Sequence, residues 1–256
     1  MKPTISILGC GWLGLPLAKE LISKGFSVKG SSTSEAKINT LEASGIDAFL
    51  IDIGKRNYDN SEFLNADILI IDIPPQAVDD YVHLTKKIEA SKISYLIFIS
   101  STSVYPMIND RANEKKPVKD NKLTQTEDVF RQNEKFKTTI IRFAGLLGYD
   151  RKPGNFFRNG KTIDNPEGVV NFIHRDDCIG IITEIIEQGV WNETFNACAD
   201  THPTRREFYT KEFLKAGREK PVFNEDAANS YKIISNEKLK SKLNYTFKYP
   251  DLMNYS

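Results

Sequence analysis

The sequence predicts an α/β fold, a doubly wound parallel sheet with helices on both faces. Three observations carry this. Short runs of β-branched and aliphatic residues alternate with amphipathic helical stretches through the first 143 positions. Several of those runs are solidly apolar, as strands buried on both faces must be. The first run passes straight into Gly9-Cys10-Gly11-Trp12-Leu13-Gly14, a glycine turn that opens a helix.

The elements follow in order. Residues 4–8, Thr-Ile-Ser-Ile-Leu, form the first strand. Residues 13–24 form a helix with Leu13, Leu17, Leu21 and Ile22 on one face, and Gly25 stops it. Residues 26–29 are a second strand, 35–44 a helix ended by Gly45, and 48–53 a third strand. Residues 67–73, nearly continuous in Ile and Leu, are the fourth strand. A helix at 78–91, a strand at 95–100, a helix at 124–135 and a strand at 138–143 complete the regular half. Beyond it, residues 149–167 are rich in Gly, Pro, Asn and charge and read as a loop. Residues 176–188 are a helix and 194–198 a strand. Thr204, with Glu207 three residues on, is a capping box that opens a helix ending at residue 216.

Composition narrows the function classes. The chain has 256 residues, with 35 Lys and Arg against 34 Asp and Glu, and a net charge of +1. Such balance argues against a nucleic-acid partner, which needs many phosphate contacts. No run approaches the roughly 18 apolar residues of a membrane span. Three cysteines and three histidines, without a Cys-x-x-Cys, argue against a disulfide framework and against a metal site. A reducing compartment, the cytoplasm, is the expected location. The apolar stretch before Cys10 is too short for a signal peptide.

The glycine turn has specific physics. Gly9 permits the tight turn, Gly11 lets a pyrophosphate approach the backbone, and Gly14 lets helix and strand pack closely. With Cys10, Trp12 and Leu13 these residues form the expected dinucleotide cradle, where helix amides and dipole favour an anion. The chain then divides into a dinucleotide-binding core at 1–148 and a smaller lobe at 149–256 that completes the sheet and covers the substrate cleft. After the second strand comes Gly30-Ser31-Ser32-Thr33-Ser34, with no acidic residue to hold the ribose hydroxyls of NAD. Ser31, Ser32 and Thr33 leave room for a 2′-phosphate and can donate to it, and Lys37 can add charge. NADP is favoured and NAD stays open. Asp52 is a candidate for the adenine amino group, or it forms a turn. Ile73 and Pro74, after the fourth strand, line the cofactor crevice or only end the strand. Ser100 and Phe143, at the ends of the fifth and sixth strands, are placed on the cofactor side because sites in such folds lie at the carboxyl ends of the strands.

The fifth strand runs into Ser100-Ser101-Thr102-Ser103-Val104-Tyr105. Here the chain resembles the extended branch of the short-chain dehydrogenase/reductase superfamily, whose epimerases and dehydratases end this strand in Ser-Ser/Thr-x-x-Val-Tyr-Gly. Further likenesses keep the family's order: Glu114 and Pro117, Glu127, the stretch from Ile141-Arg142 to Gly148, the stretch from Val170 through Ile173-His174 to Asp177, and Phe195-Asn196. The resemblance implies an NAD(P)-dependent oxidoreductase or epimerase acting on a small hydroxyl, carbonyl or sugar-like molecule, with Ser101 holding the substrate oxygen. It also admits a homodimer through exposed helices. Two departures stand out. The first glycine of the family's Gly-x-x-Gly-x-x-Gly is Leu8 here. The family's Tyr-x-x-x-Lys proton-transfer pair is absent, since none of the ten tyrosines has Lys four residues on. The chain is therefore similar to an atypical subgroup of epimerase-like proteins that begin Gly-Cys-Gly-Trp-Leu-Gly and lack the pair.

A substitute for that pair would come from Tyr105, Lys119, Lys122 or His174. Each also has a plain structural reading: packing for Tyr105, a solvated loop for the lysines, a turn-fixing bond for His174. Tyr105 and Ser101 are the catalytic candidates. The alternative is a catalytically silent NADP-binding protein that senses redox state or binds a partner. A weaker likeness joins Gly11 through Ala18 to sugar-nucleotide 6-dehydrogenases, but those need an activated catalytic Cys, and neither Cys178 nor Cys198 has that context.

Overall fold

A computed structural model describes residues 2–55, 60–157 and 161–255. In chain order the elements are β1 (Thr4–Leu8), α1 (Gly14–Ser23), β2 (Ser27–Ser32), α2 (Glu35–Glu42), β3 (Asp47–Leu50), β4 (Ile68–Ile71), α3 (Val78–Glu89), β5 (Tyr95–Ser101), β6 (Arg111–Ala112), α4 (Lys122–Arg131), β7 (Lys137–Phe143), β8 (Gly145–Leu147), β9 (Phe172–His174), α5 (Arg175–Gln188), β10 (Thr194–Ala197), α6 (Arg205–Lys215), β11 (Ile233–Ile234) and α7 (Glu237–Leu243).

The seven-stranded parallel sheet runs β10-β7-β5-β4-β1-β2-β3. β1 lies between β2 and β4, with Ile5 opposite Val28 on one side and Ile68 on the other. The strand order reverses between β1 and β4. In a doubly wound sheet that is the switch point, and ligands bind beyond the carboxyl ends of the strands there. The glycine turn leaves β1 at this place. β4 is Ile-Leu-Ile-Ile with every residue buried, which fits a strand covered on both faces.

Contacts divide the described chain into two compact units. Unit 1 comprises Met1–Ser100, Lys119–Ile141 and Ile182–Thr194; unit 2 comprises Ser101–Val118, Arg142–Ile181 and Phe195–Ser256. This corrects the contiguous division at residue 148. The segments that follow β5, β7 and β10 all belong to unit 2. Each unit has its own core. Unit 1 packs Phe63, Leu69, Ile71, Leu84, Leu96 and Phe130 together. Unit 2 packs Leu147, Ile163, Ala199, Phe208, Phe213 and Leu252.

The caps explain where two helices begin. Asn121 accepts from the amides of Leu123 and Thr124, and the Thr124 hydroxyl accepts from the Asn121 amide, so α4 starts earlier than its apolar pattern suggests. Thr204 and Glu207 close the expected capping box of α6. β3 ends at Leu50 rather than residue 53. Ile51 and Ile53 leave the sheet to enter the unit 1 core, and Asp52 turns the chain by accepting from the Gly54 amide at 3.1 Å. Among the described residues no helix is long and apolar enough to cross a membrane.

Candidate functional site

The glycine turn of unit 1 is built as its sequence requires. Gly9 has φ +103°, a left-handed value that L side chains rarely adopt, and a Cβ there would overlap the Asp72 carbonyl. The Gly9 amide donates to the Ser31 hydroxyl at 3.0 Å, and the Cys10 amide to the Ser31 carbonyl at 2.8 Å. A Cβ on Gly14 would overlap the Gly9 carbonyl, so the first turn of α1 lies directly on the glycine turn. Gly11 differs from both. Its φ is not left-handed, it is exposed, and a Cβ would meet nothing within 4 Å. It is the one glycine of the three that opens onto space.

The residues around it fit a dinucleotide. α1 starts at Gly14 with no acidic residue in its first turn. The Leu15 and Leu17 amides are taken by the carbonyls of Gly11 and Leu13, and Pro16 has no N–H, so the amides left to face an anion are those of Leu13 and Gly14. The open approach at Gly11 adjoins those amides. Leu13 and Cys10 point inward, and Trp12 is half-buried. Burial pushes the Cys10 thiol up to about 12, eased by its contact with Ser31 and reinforced by the Asp72 charge. It is a packing group beneath Gly30, where a Cβ would sit 2.6 Å from its sulfur.

The other expected cofactor residues divide. Ser31 is 1% exposed and its hydroxyl is engaged by Gly9, so it shapes the turn from within. This corrects its expected place beside a 2′-phosphate. Ser32 is half-buried and accepts from the Ser34 amide at 3.1 Å, while Thr33 and Lys37 are exposed. Asp52 has a carboxylate oxygen 3.9 Å from Lys55, and its turn bond to Gly54 is the plainer of its two readings. Ile73 is half-buried with its Cγ2 against Gly9, and Pro74 is exposed. Ser100 donates to the fully buried Glu127 at 2.6 Å, and Arg131 pairs with the same carboxylate at 2.9 Å. Phe143 is 2% exposed at the end of β7.

In unit 2, Ser101 is half-buried and caps a short turn, its hydroxyl accepting from the Ser103 amide at 3.1 Å. Tyr105 does not suit the proton-carrying part expected of it. It is completely buried. Its hydroxyl donates to Asn196 Oδ1 at 2.9 Å and accepts from Arg142 Nη1 at 2.7 Å. Burial pushes the phenol up, and the nearby Arg142 and Asn196 oppose this only in part. Asn196 is fixed in turn by Glu114, which accepts its amide at 2.8 Å. Lys232 donates to the carbonyls of Thr102 and Tyr105 at 2.9 and 2.7 Å. These residues hold the segment after β5. Tyr105→Phe leaves Asn196 and Arg142 short of a partner, and the expected loss is about 1–3 kcal/mol of stability, read from urea unfolding.

Unit 2 also contains a cavity of about 740 Å³ that the sequence did not disclose. Arg151, Lys152, Asn155, His174, Lys215 and Tyr249 are among its lining residues. His174 is 5% exposed and its ring centroid lies 3.9 Å from that of Tyr249. Its Nδ1 accepts from the Asp176 amide at 3.2 Å, so the neutral ring carries its proton on Nε2. Burial holds its pKa below the ordinary value, against the pull of Asp176 and Asp177. The turn-fixing reading of His174 matches the bond on Nδ1. The signal for the cavity was the Gly-Pro-rich, cationic stretch after β8, together with the aromatic residues near the chain end.

The comparisons agree with this architecture. Residues 4–100 match the family model described as NADP oxidoreductase, coenzyme F420-dependent. The chain is 33% identical to Protein YeeZ of Escherichia coli K12 over 96% of both chains. Three solved structures share the fold. A functionally unknown conserved protein from Silicibacter pomeroyi has a TM-score of 0.84 at 18% identity, with 98% of this chain and 96% of that one covered. UDP-glucuronic acid 4-epimerase from Bacillus cereus, in complex with NAD, has a TM-score of 0.80 at 17% identity, with 98% and 95% covered. A short-chain dehydrogenase/reductase superfamily protein from Agrobacterium tumefaciens with bound NAD has 0.77 at 14%, with 96% and 93% covered.

Proposed function

The chain belongs to the family of Escherichia coli Protein YeeZ, and from that premise we propose that it is an NADP-dependent oxidoreductase or epimerase of the short-chain dehydrogenase/reductase kind, acting on a small hydroxyl, carbonyl or sugar-like molecule. The observation that carries this is the open approach at Gly11 between two glycines that tolerate no side chain. The amides at the start of α1 would hold the pyrophosphate, and Gly11 would let it come close. Thr33 and Lys37 are the exposed groups near the end of β2 that favour a 2′-phosphate, and no acidic residue in 27–34 opposes it. A nicotinamide held there would supply the hydride chemistry. Ser101 retains a hydroxyl proton to donate to a substrate oxygen. The proton that a hydroxyl loses on oxidation must leave by a group other than Tyr105. Association with a second copy and a cytoplasmic location belong to the same reading.

One observation favours a second reading. With Tyr105 sealed and no Tyr-x-x-x-Lys pair in the chain, a cofactor-binding protein without turnover also fits. Such a protein would report redox state to a partner.

Calorimetric titration with NADPH and NADH tests the proposal. NADPH is expected to bind more tightly than NADH. Binding of neither at about millimolar concentration, where association is worth only ~4 kcal/mol, would sink it. A panel of carbonyl substrates then separates the two readings, since a silent binder oxidises no NADPH with any of them.

A further inference from the structure

The unit 2 cavity shares no residue with the glycine turn. Its walls are held firmly. Gly148 has φ +115° and lies so close on His174 that a Cβ would strike the imidazole. Tyr149, next in the chain, takes a left-handed φ of 57°, a strained value for an aromatic residue. Its hydroxyl donates to Asp176 at 2.9 Å, and the Arg175 guanidinium lies 3.8 Å from its ring centroid. Gly154 packs so tightly on α6 that a Cβ would overlap the Glu212 carbonyl, and Arg218 holds the carbonyls of Gly154 and Phe157. The strap that carries Lys152 and Asn155 is therefore fixed at both ends.

The polar groups of the cavity are sorted by kind. Its carboxylate, Glu212, is 5% exposed and is taken by the Tyr255 hydroxyl at 2.8 Å. Asp176, just behind the wall, takes the Tyr149 hydroxyl and also pairs with Tyr249. The phenols thus occupy the acceptors, while the Tyr255 ring lies under Lys215 and the Tyr249 ring against His174. Donors remain. Among the described residues the Lys152 ammonium, the Asn155 side-chain amide and His174 Nε2 have no partner within the protein. Lys215 donates to the Tyr255 carbonyl at 3.2 Å and lies over the Tyr255 ring, 4.9 Å from its centroid. Arg151, itself engaged within the protein, is a third cation of the lining. Arg151 and Lys152 come from the strap and Lys215 from α6, so positive charge reaches the cavity from two elements.

From this arrangement we infer that the cavity binds an organic phosphate monoester whose alcohol is a flat ring. Three cations against one engaged carboxylate suit a dianion, and donors from two elements suit its three terminal oxygens better than the two coplanar oxygens of a carboxylate. The volume, within the roughly 300–1,000 Å³ range of small-molecule sites, exceeds what bare phosphate fills. The Tyr249 and Tyr255 rings supply the surface for the rest.

The test is calorimetry on the full chain with phenyl phosphate, with inorganic phosphate and benzoate as comparisons. Phenyl phosphate is expected to bind about tenfold more tightly than either, and more weakly as salt rises. Lys152→Ala, a change on the exposed strap, is expected to weaken it about tenfold with the melting temperature unchanged. Equal binding of phenyl phosphate and inorganic phosphate would overturn the inference, as would wild-type affinity in Lys152→Ala or no binding at all. No dinucleotide enters the experiment, so its failure leaves the cofactor proposal standing.

Discussion

Gly11→Val is expected to leave the melting temperature unchanged and to weaken NADPH binding by at least about tenfold, or ~1.4 kcal/mol. The two halves of this result come from one observation. A Cβ at position 11 meets nothing within 4 Å, and the backbone there is not left-handed. The folded protein thus has room for the side chain. A pyrophosphate seated on the amides of α1 needs the same room. The isopropyl group would hold the phosphates away from those amides in a region where each charge-assisted bond is worth ~1.5–3 kcal/mol. Gly9→Ala is the necessary contrast. Its φ of +103° and its overlap with the Asp72 carbonyl make it a folding lesion, expected to cost more than about 3 kcal/mol. Loss of NADPH binding in Gly9→Ala would say nothing about recognition. Retained binding in a folded Gly11→Val would remove the glycine turn from the proposed function.

The regular half of the molecule was legible because two periodicities and the glycines mark it. β1, β4, β5 and β7 are apolar runs that fall close to their expected places. The short pairs β6–β11 and β8–β9 were not legible. They join residues far apart in the chain over two or three positions, too few for any alternation to show. The same cause hid the unit 2 cavity. Its walls come from the strap after β8, from α6 and from the chain's end, and no spacing in sequence brings these together.

Site residues were legible as far as backbone geometry decides them. Gly9 and Gly14 are fixed by steric overlap, which a motif encodes directly. Ser31 and Tyr105 were not, because residue type does not tell which way a side chain turns. Ser31 sits in a strand where alternate residues face opposite sides, and the register puts its hydroxyl beneath Gly9. Tyr105 follows a short turn capped by Ser101, and it goes inward to Asn196 and Arg142. The stretch that resembles the family's catalytic strand end thus leaves its Ser half-buried and sends its Tyr inward.

Asp177→Ala carries the largest expected effect on unit 2. Asp177 lies in the first turn of α5 and is completely buried. One carboxylate oxygen accepts from the Tyr245 hydroxyl at 3.0 Å and the Lys248 amide at 2.7 Å, and the other from the Tyr249 amide at 3.0 Å. Alanine leaves the Lys248 and Tyr249 amides without their acceptor, while the Tyr245 hydroxyl keeps the Asp177 carbonyl at 3.3 Å. Each unsatisfied donor costs ~1–3 kcal/mol, so a loss of about 3 kcal/mol is expected. For a chain of this size that is ~6–12 °C in melting temperature. The effect should also be local. The segment held by Asp177 carries Tyr249 and leads to Tyr255, two of the aromatic walls of the cavity. Further along it is also held by the Pro250 carbonyl, which accepts from the amides of Asp200 and Thr201 at 2.9 and 3.2 Å. Hydrogen exchange in Asp177→Ala should therefore quicken first at Lys248 and Tyr249, while the Asp200 and Thr201 amides stay protected. Phenyl phosphate affinity should fall with it, because the ring faces would no longer be fixed. NADPH affinity should not change, because the glycine turn belongs to the other unit. Unaltered exchange at 248 and 249 would mean that the chain end is held in place by packing rather than by this carboxylate.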